Sequence, residues 1–427
     1  MKQEILQKLE KIRNGEVPEG YKESKVGIIP KDWEKKDLFE IGTFFKGKGI
    51  SINEIVKEGM CGIRYGEIYS TYDLVVEKCV SHINLESAKN SKKVKRGDLL
   101  FAGSGETAED IGKCILLDTL KDTYAGGDTI VFRKTENCSQ FLVLALNSEY
   151  VISQKRKLGQ GQSIVHIYPD QLSKIKIILP KNEEQKEISK ILFNLRKIIS
   201  KKNELIKNLV ELKKGFVQKL VNPLLKEKNN MGTLSKCLTS TSYPVDKPSK
   251  PYDSLGIRSH CKGTMIKQIK EPNKVAMKIL YKVKENELIV NITFAWEGAI
   301  ALLSKKDEGK LVSHRFPTFK FNEEFAIPDY FKHLIKTKWF VFQLSLVSPG
   351  GAGRNRVLSK KDFLKIKLAL PPVEKQRQIA NFLNSLDDQI DLLKKEINNL
   401  KEQKRGLMQL LLTGIVRVNV KDNKNVS

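Results

Sequence analysis

Residues 179–220 read LPKNEEQKEISKILFNLRKIISKKNELIKNLVELKKGFVQKL, and residues 370–411 read LPPVEKQRQIANFLNSLDDQIDLLKKEINNLKEQKRGLMQLL. A shift of 191 residues superimposes the two without a gap. Pro180 falls on Pro371, Glu183 on Glu374, Gln185 on Gln376, Gly215 on Gly406 and Gln218 on Gln409. The same shift carries Lys174-Ile175-Lys176 onto Lys365-Ile366-Lys367 and Gly159 onto Gly350, and a shift of 189 lays KRGDLL (95–100) on KENELI (284–289). Self-similarity at such a period is the mark of a duplicated unit. The chain is therefore two copies of a unit of roughly 190 residues, each a globular part followed by a long helix.

The helices follow from spacing. In the second copy Ile379, Leu383, Leu386, Ile390, Leu393, Ile397, Leu400, Leu407 and Leu411 fall mostly at alternating steps of four and three. In the first copy the seam is Ile188, Leu192, Leu195, Ile199, Ile206, Leu209, Phe216 and Leu220. This is a heptad stripe, and both stripes carry a late lysine, Lys213 and Lys404. Proline is cheap at a helix opening, so Pro180 and Pro371 mark the starts, while Pro223 and Gly414 stand just past the ends. A stripe of this kind needs a partner. The cheapest is the other copy, in an antiparallel pair related by a pseudo-two-fold. Packing on the helix's own globular part and dimerisation are the alternatives.

The globular parts read differently. VGIIPKDWEKKDL, RGDLLFAGSG, GDTIVFR and LSKIKIILP are short strands broken by Gly and Pro, as are YDSLGIR, NELIVNITFAW, HRFPTFKF and FLKIKLALP in the second copy. Segments near 141–157 and 328–346 read as helices. The expected fold is α+β: two small mixed α/β domains separated by two long helices forming an antiparallel coiled coil, with internal pseudo-two-fold symmetry. The expected boundaries are an amphipathic segment at 1–24, a first domain at 25–179, a central helix at 180–230, a second domain at 231–370, and a C-terminal helix and tail at 371–427.

Of 427 residues, 40% are hydrophobic and 30% charged, enough apolar material for packed cores. No run of 18 apolar residues occurs, which excludes a membrane helix. The N-terminal stretch has no apolar signal core, and six scattered cysteines form no CxxC pair, so reduced thiols and a cytoplasmic location are expected. The net charge of +26 points to a polyanion, most simply nucleic acid. That charge is unevenly placed: 0 over 1–24, +3 over 25–179, +7 over 180–230, +13 over 231–370 and +3 over 371–427. Salt-dependent phosphate contacts should be stronger in the second half.

Catalytic motifs do not survive inspection. Phe101-Ala102-Gly103-Ser104-Gly105 has the outline of a cofactor turn, but a short polar stretch leads to another strand instead of a helix. The chain has no Pro-Cys dipeptide, and its only Pro-Pro is Pro371-Pro372, followed by valine. Those are the motifs that cytosine and amino methyltransferases require. Pro169-Asp170 followed by Glu184-Gln185-Lys186 imitates a nuclease spacing, but Glu184 and Lys186 fall in a helix opening. The five histidines form no metal spacing. No metal and no catalytic residue are assigned.

The loops mix basic, amide, hydroxyl and aromatic side chains with glycine. Candidate DNA-contacting residues are Lys46, Lys48, Arg64, Tyr65, Gln160, Gln162, Ser163 and His166 in the first copy. In the second they are Arg258, Ser259, His260, Lys262, Trp296, His314, Arg315, Arg354, Asn355 and Arg356. Arg, Lys, Asn and Gln are the side chains that read base edges, and glycine lets backbone approach phosphate closely. The bland reading of any one of them is an ordinary turn or core residue; the set, in a chain of this charge, favours double-stranded DNA.

These features together resemble the specificity subunit of type I restriction–modification systems. The resemblance rests on IPKDW (29–33), the paired openings LPKNEEQKEISKIL and LPPVEKQRQIANFL, and the ending LMQLLLTGIVRV (407–418). Loop segments of two target-recognition types add to it: KGKGIS, IRYGEIY, GDLLFAGSGET, AGGDTIVFR and GQSIVHIY, then YDSLGIRSHCKGT, NITFAWEGAI, SHRFP and SPGGAGRNRVL. It implies two target-recognition domains, each reading one half of a bipartite site, with helices that set the spacing and dock two modification subunits. It also implies optional restriction subunits, and S-adenosylmethionine, ATP and Mg²⁺ on those partners with no cofactor on this chain. A stand-alone S-adenosylmethionine-dependent DNA methyltransferase and a non-DNA coiled-coil structural protein remain the alternatives.

Overall fold

The computed structural model describes residues 2–24, 27–161, 163–222, 231–350 and 356–418. Pro223, Gln162, Arg354 and Asn355 lie outside the described residues. The chain forms two compact units. One takes the described residues up to Lys201 together with those from Ile397 onward; the other is Lys202–Glu396.

In the first unit the helix Lys2–Arg13 leads into an antiparallel hairpin, Tyr21–Ser24 with Gly27–Pro30. The main sheet has five strands in the order Gly42–Lys46, Thr129–Lys134, Leu99–Ala102, Cys114–Leu117, Val75–Val76. A second five-stranded sheet runs Ile55–Val56, Ser81–Ile83, Met60–Ile63, Thr123–Ala125, Lys92–Val94. Helices Ser139–Leu146 and Glu149–Leu158 cover the main sheet; Phe141 through Leu146 are all buried. Lys176–Leu179 pairs with Glu34–Asp37 and delivers the chain into the first long helix, Asn182–Leu220.

The second unit repeats this plan. Its main sheet runs Leu238–Thr241, Thr318–Phe321, Leu288–Val290, Ile300–Leu302. Its other sheet runs Pro244–Asp246, Ile279–Lys282, Leu311–Val312, Tyr252–Ile257, Thr264–Ile269. Helices Pro328–Leu334 and Lys338–Leu346 follow, and Lys367–Ala369, paired with Met231–Thr233, delivers the second long helix, Val373–Leu412. KRGDLL and KENELI are the matched openings of the central strands. Their acids, Asp98 and Glu287, are both buried: Arg133 grips Asp98 bidentately at 2.9 and 2.7 Å, and the Tyr243 hydroxyl donates to Glu287 at 2.9 Å.

The heptad stripes do two things. Within the second unit the helices run antiparallel, because Lys202 meets Glu396 at 2.6 Å, Lys213 meets Asp387 at 2.5 Å, and the Phe216 and Phe382 rings stand 4.7 Å apart edge-on. The stripe ends also pack on the globular cores: Ile188, Leu192 and Leu411 in the first unit, Ile379, Leu383 and Leu386 in the second. The matched glutamines explain the shared helix openings. Gln185 donates to the Pro180 carbonyl at 2.9 Å and accepts the Cys138 amide at 3.1 Å; Gln376 donates to the Pro371 carbonyl at 2.8 Å and accepts the Ile327 amide at 3.2 Å. Each is a buried brace between the helix opening and the segment before the covering helices. Gly414 ends the second long helix in a left-handed turn (φ +71°), and a Cβ there would stand 2.5 Å from Pro30.

Candidate nucleic-acid interface

Four sequence-distant segments converge in the second unit. The hairpin Tyr252–Ile257/Thr264–Ile269 closes through Arg258–Gly263, with the Arg258 amide donating to the Gly263 carbonyl at 3.0 Å. His260 and Cys261 both adopt the left-handed region, φ +60° and +53°. That conformation is costly for side-chain-bearing residues and persists only where surroundings hold it. Here the next turn holds it: the His260 amide donates to the Glu297 carbonyl at 2.7 Å, the Cys261 amide to the Gly298 carbonyl at 2.9 Å, and the Ser259 hydroxyl to the Glu297 carboxylate at 2.7 Å. Gly298 is itself left-handed (φ +77°), and a Cβ there would come within 3.1 Å of the Cys261 sulfur. Burial pushes the Cys261 thiol up to about 11, so it stays protonated.

The other two segments join at Ile292. Its amide donates to the Arg315 carbonyl at 3.0 Å, and its carbonyl accepts the Leu358 amide at 2.8 Å. Trp296 is anchored through its indole N–H to the Thr293 carbonyl at 3.2 Å, and the Arg356 guanidinium lies 5.5 Å from its ring. Arg258, His260, Lys262, His314 and Arg315 are exposed, and Ser259, Trp296 and Arg356 are half-buried. The segments that carry the second-copy candidates within the described residues are tied together by these hydrogen bonds. A rigid frame of backbone hydrogen bonds presents guanidinium, imidazole, hydroxyl and indole groups, the equipment for contacting bases and phosphates.

The first unit gathers its candidates from three segments. The Lys46 ammonium lies 4.9 Å from the ring of Tyr168, and the His166 ring stacks 6.4 Å from the same tyrosine. His166 Nδ1 is 2.9 Å from the Ser104 hydroxyl, and Ser104–Gly105 pairs with Val165–His166. Gln160 and His166 exchange backbone hydrogen bonds at 2.9 and 2.7 Å, closing the loop that exposes Ser163. Gly161 is required there, since a Cβ would meet the Ile164 carbonyl at 2.0 Å. Lys48 is exposed, its amide tied to the Ala125 carbonyl at 3.0 Å. Tyr65 is exposed on the short helix Tyr65–Ser70. Arg64 is turned inward: its Nε donates to buried Glu67 at 3.1 Å, which also receives the Ser81 hydroxyl at 2.5 Å.

The glycine turn at 101–105 is buried beneath this surface and does not have the geometry of a dinucleotide turn. The strand after it, Cys114–Leu117, runs antiparallel to Leu99–Ala102, whereas a dinucleotide turn needs a parallel strand–helix–strand unit. Gly103 is small for its neighbour: its amide donates to the Asp128 carbonyl at 2.7 Å, and a Cβ would stand 2.8 Å from that oxygen. Glu184, the acid of the nuclease-like spacing, has both oxygens engaged by Arg417 and one by Trp33. Among the described residues no group of acids, histidines and cysteines is placed to hold a metal, and no helix is long and apolar enough to cross a membrane. Tyr168, Ser104 and Glu297 complete the two surfaces and carry no sequence signal beyond their neighbourhood of glycine and basic residues.

Two repeated α+β parts, each with a polar loop surface and each followed by a heptad helix, define a duplicated binding protein. The model of the type I restriction modification DNA specificity domain matches residues 30–211 and 247–402. The chain belongs to that family of DNA specificity domains. It is 26% identical over 435 residues to a putative type I restriction enzyme MjaX specificity subunit of Methanocaldococcus jannaschii, covering 94% of this chain and 97% of the relative. The MjaVIII specificity subunit of the same organism is 26% identical over 429 residues, covering 94% and 96%. The fold resembles the S subunit of a type I restriction–modification system from M. genitalium, with a TM-score of 0.56, 17% identity, and coverage of 89% of this chain and 96% of that one. It also resembles a chain from a structure of type I R-M complex assembly and conformational transition, with a TM-score of 0.54, 14% identity, and coverage of 91% and 99%.

Proposed function

We propose that this chain is the sequence reader of a type I restriction–modification complex, with each globular part contacting one half of a bipartite double-stranded DNA site. The observation that carries this reading is the convergence at Ile292 and Trp296, where Arg258, His260, Arg315 and Arg356 are brought together from four segments of the chain. The surface of Lys46, His166 and Tyr168 serves the other half-site. The domain boundaries near residues 25–179 and 231–370 mark the two readers.

The long helices set the spacing between the half-sites and dock two modification subunits, with restriction subunits joining where present. Leu205 and Leu212 lie seven residues apart on the first long helix and are 46% and 49% exposed, an apolar face suited to a partner helix. S-adenosylmethionine, ATP and Mg²⁺ bind the partners, in the cytoplasm, and the target base is flipped by the modification subunit.

The test is duplex binding by the assembled chain and its modification subunits, using sites altered in one half at a time. Arg258→Ala with Arg315→Ala should abolish discrimination in one half only, and Lys46→Ala with Tyr168→Ala in the other only. Equal loss in both halves from either pair would contradict the assignment.

A further inference from the structure

Beside the second unit's reading surface lies an open cleft of about 560 Å³, walled by the His260–Cys261 tip, Trp296, and the segment that carries Lys336, Lys338 and Phe342. We propose that this cleft is a phosphate pocket, in which Lys336, Lys338 and His260 grip one stretch of DNA backbone and fix the register of the neighbouring loops. The proposal rests on the DNA-reading role argued above and adds a site to it.

Three observations point to an anion. First, the cleft gathers two lysines and a histidine against one acid, Glu297, whose carboxylate is held by the Ser259 hydroxyl at 2.7 Å. Second, among the described residues the Lys336 ammonium has no ion-pair or hydrogen-bond partner. Its pKa is held below the ordinary lysine value by lost hydration first, then by Lys213 and Lys332, against an opposing pull from Asp387. A cation crowded by cations gains from an arriving phosphate.

Third, the feature belongs to one repeat only. The second-unit helix Lys338–Leu346 opens after Thr337, and its counterpart Glu149–Leu158 opens after Ser148. Glu149 therefore stands where Lys338 does, and Asn147 where Lys336 does. Asn147 is spent internally, donating to the Cys114 and Val143 carbonyls at 2.7 and 2.8 Å. The cleft thus lies in the segment that carries +13 of the net charge, against +3 for its counterpart. A positioning contact of this kind carries no sequence information itself and sets how the reading loops meet the groove.

The experiment measures how the affinity of the full chain, assembled with its modification subunits, depends on salt. Two duplexes of unrelated sequence are used, with wild type, K336Q, K338Q and the double variant. Each substitution should flatten the slope of log affinity against log salt by about 1, with the same fold-loss on both duplexes. Replacing backbone phosphates one at a time by neutral methylphosphonate should reveal a position that weakens wild type and leaves the double variant indifferent. An unchanged slope in a double variant that melts like wild type overturns the pocket while leaving the reader role intact. Loss confined to one sequence overturns it too, since that marks base reading. Salt-independent wild-type binding would remove the reader role and the pocket together.

Discussion

Arg417 clasps Glu184 across 233 residues of sequence: its Nε and Nη2 atoms stand 2.8 Å from the two carboxylate oxygens. The same guanidinium holds both oxygens of Asp32 at 2.8 Å, and the Trp33 indole donates to Glu184 at 3.2 Å. The C-terminal tail, the IPKDW opening and the first long helix are thereby closed into one unit. Only 4% of the Glu184 side chain is exposed, so Arg417→Ala strands a buried carboxylate. The expected cost to the first unit is about 2–4 kcal/mol, read as a lower melting temperature. Arg417→Lys should recover only part, because a lysine cannot fork between two carboxylates.

The matched braces predict matched damage. Gln376→Leu leaves the Ile327 amide and the Phe325 and Pro371 carbonyls without their partner. Buried groups left unpaired make this cost about 2–4 kcal/mol in urea denaturation, and Gln185→Leu should cost a similar amount in the first unit. A loss below about 0.5 kcal/mol at either site would contradict the brace role.

The Lys213–Asp387 pair interrupts an apolar seam, and its two side chains are only 15% and 26% exposed. Asp387→Leu alone strands a cation beside Lys336 and should destabilise by more than about 2 kcal/mol. Adding Lys213→Met should recover most of that loss, giving a coupling energy above about 1 kcal/mol in a double-mutant cycle. Simple additivity would show that the pair contributes nothing as a pair.

His333 gives the second unit a pH dependence. Burial, then Lys213, lowers it to about 4, against the opposing hydrogen bond to Asn384 at 2.9 Å and the charge of Asp387; Lys336 lowers it further. The native state therefore holds it neutral where the unfolded chain takes up a proton. Stability is complete above about pH 6.5 and falls as pH drops toward 4, by up to about 3 kcal/mol. His333→Gln should flatten that part of the stability–pH curve. A variant curve parallel to wild type through this window would contradict the assignment.

The fold was largely legible because heptad spacing and repeat shifts survive in one-letter code. Ile379 to Leu411 announces a helix without any knowledge of its partner, and the 191-residue shift pairs Gln185 with Gln376 before their hydrogen bonds are seen. The late lysine Lys213 shows in the stripe, but its partner Asp387 does not, since it sits on an antiparallel neighbour 174 residues away. The site was legible in its residue types and not in its assembly. Lys46 and Tyr168 meet through sheet topology, and His260 is held by the backbone of Glu297, relations that no spacing encodes. Arg64 reads as a candidate DNA contact, and only its hydrogen bond to buried Glu67 shows it turned inward. Lys336 and Lys338 belong to no motif in the sequence, and the cleft beside Trp296 is what places them together.

The most direct test of the central claim is a methylation map. The chain is expressed with its modification subunits in a host without DNA methylation, alongside a control lacking it and variants carrying Arg258→Ala with Arg315→Ala or Lys46→Ala with Tyr168→Ala. The account predicts a split motif with a fixed gap that appears only when the chain is present, each variant pair relaxing one half of it. Methylation of the same motif without this chain, or a motif made by this chain alone, would contradict it.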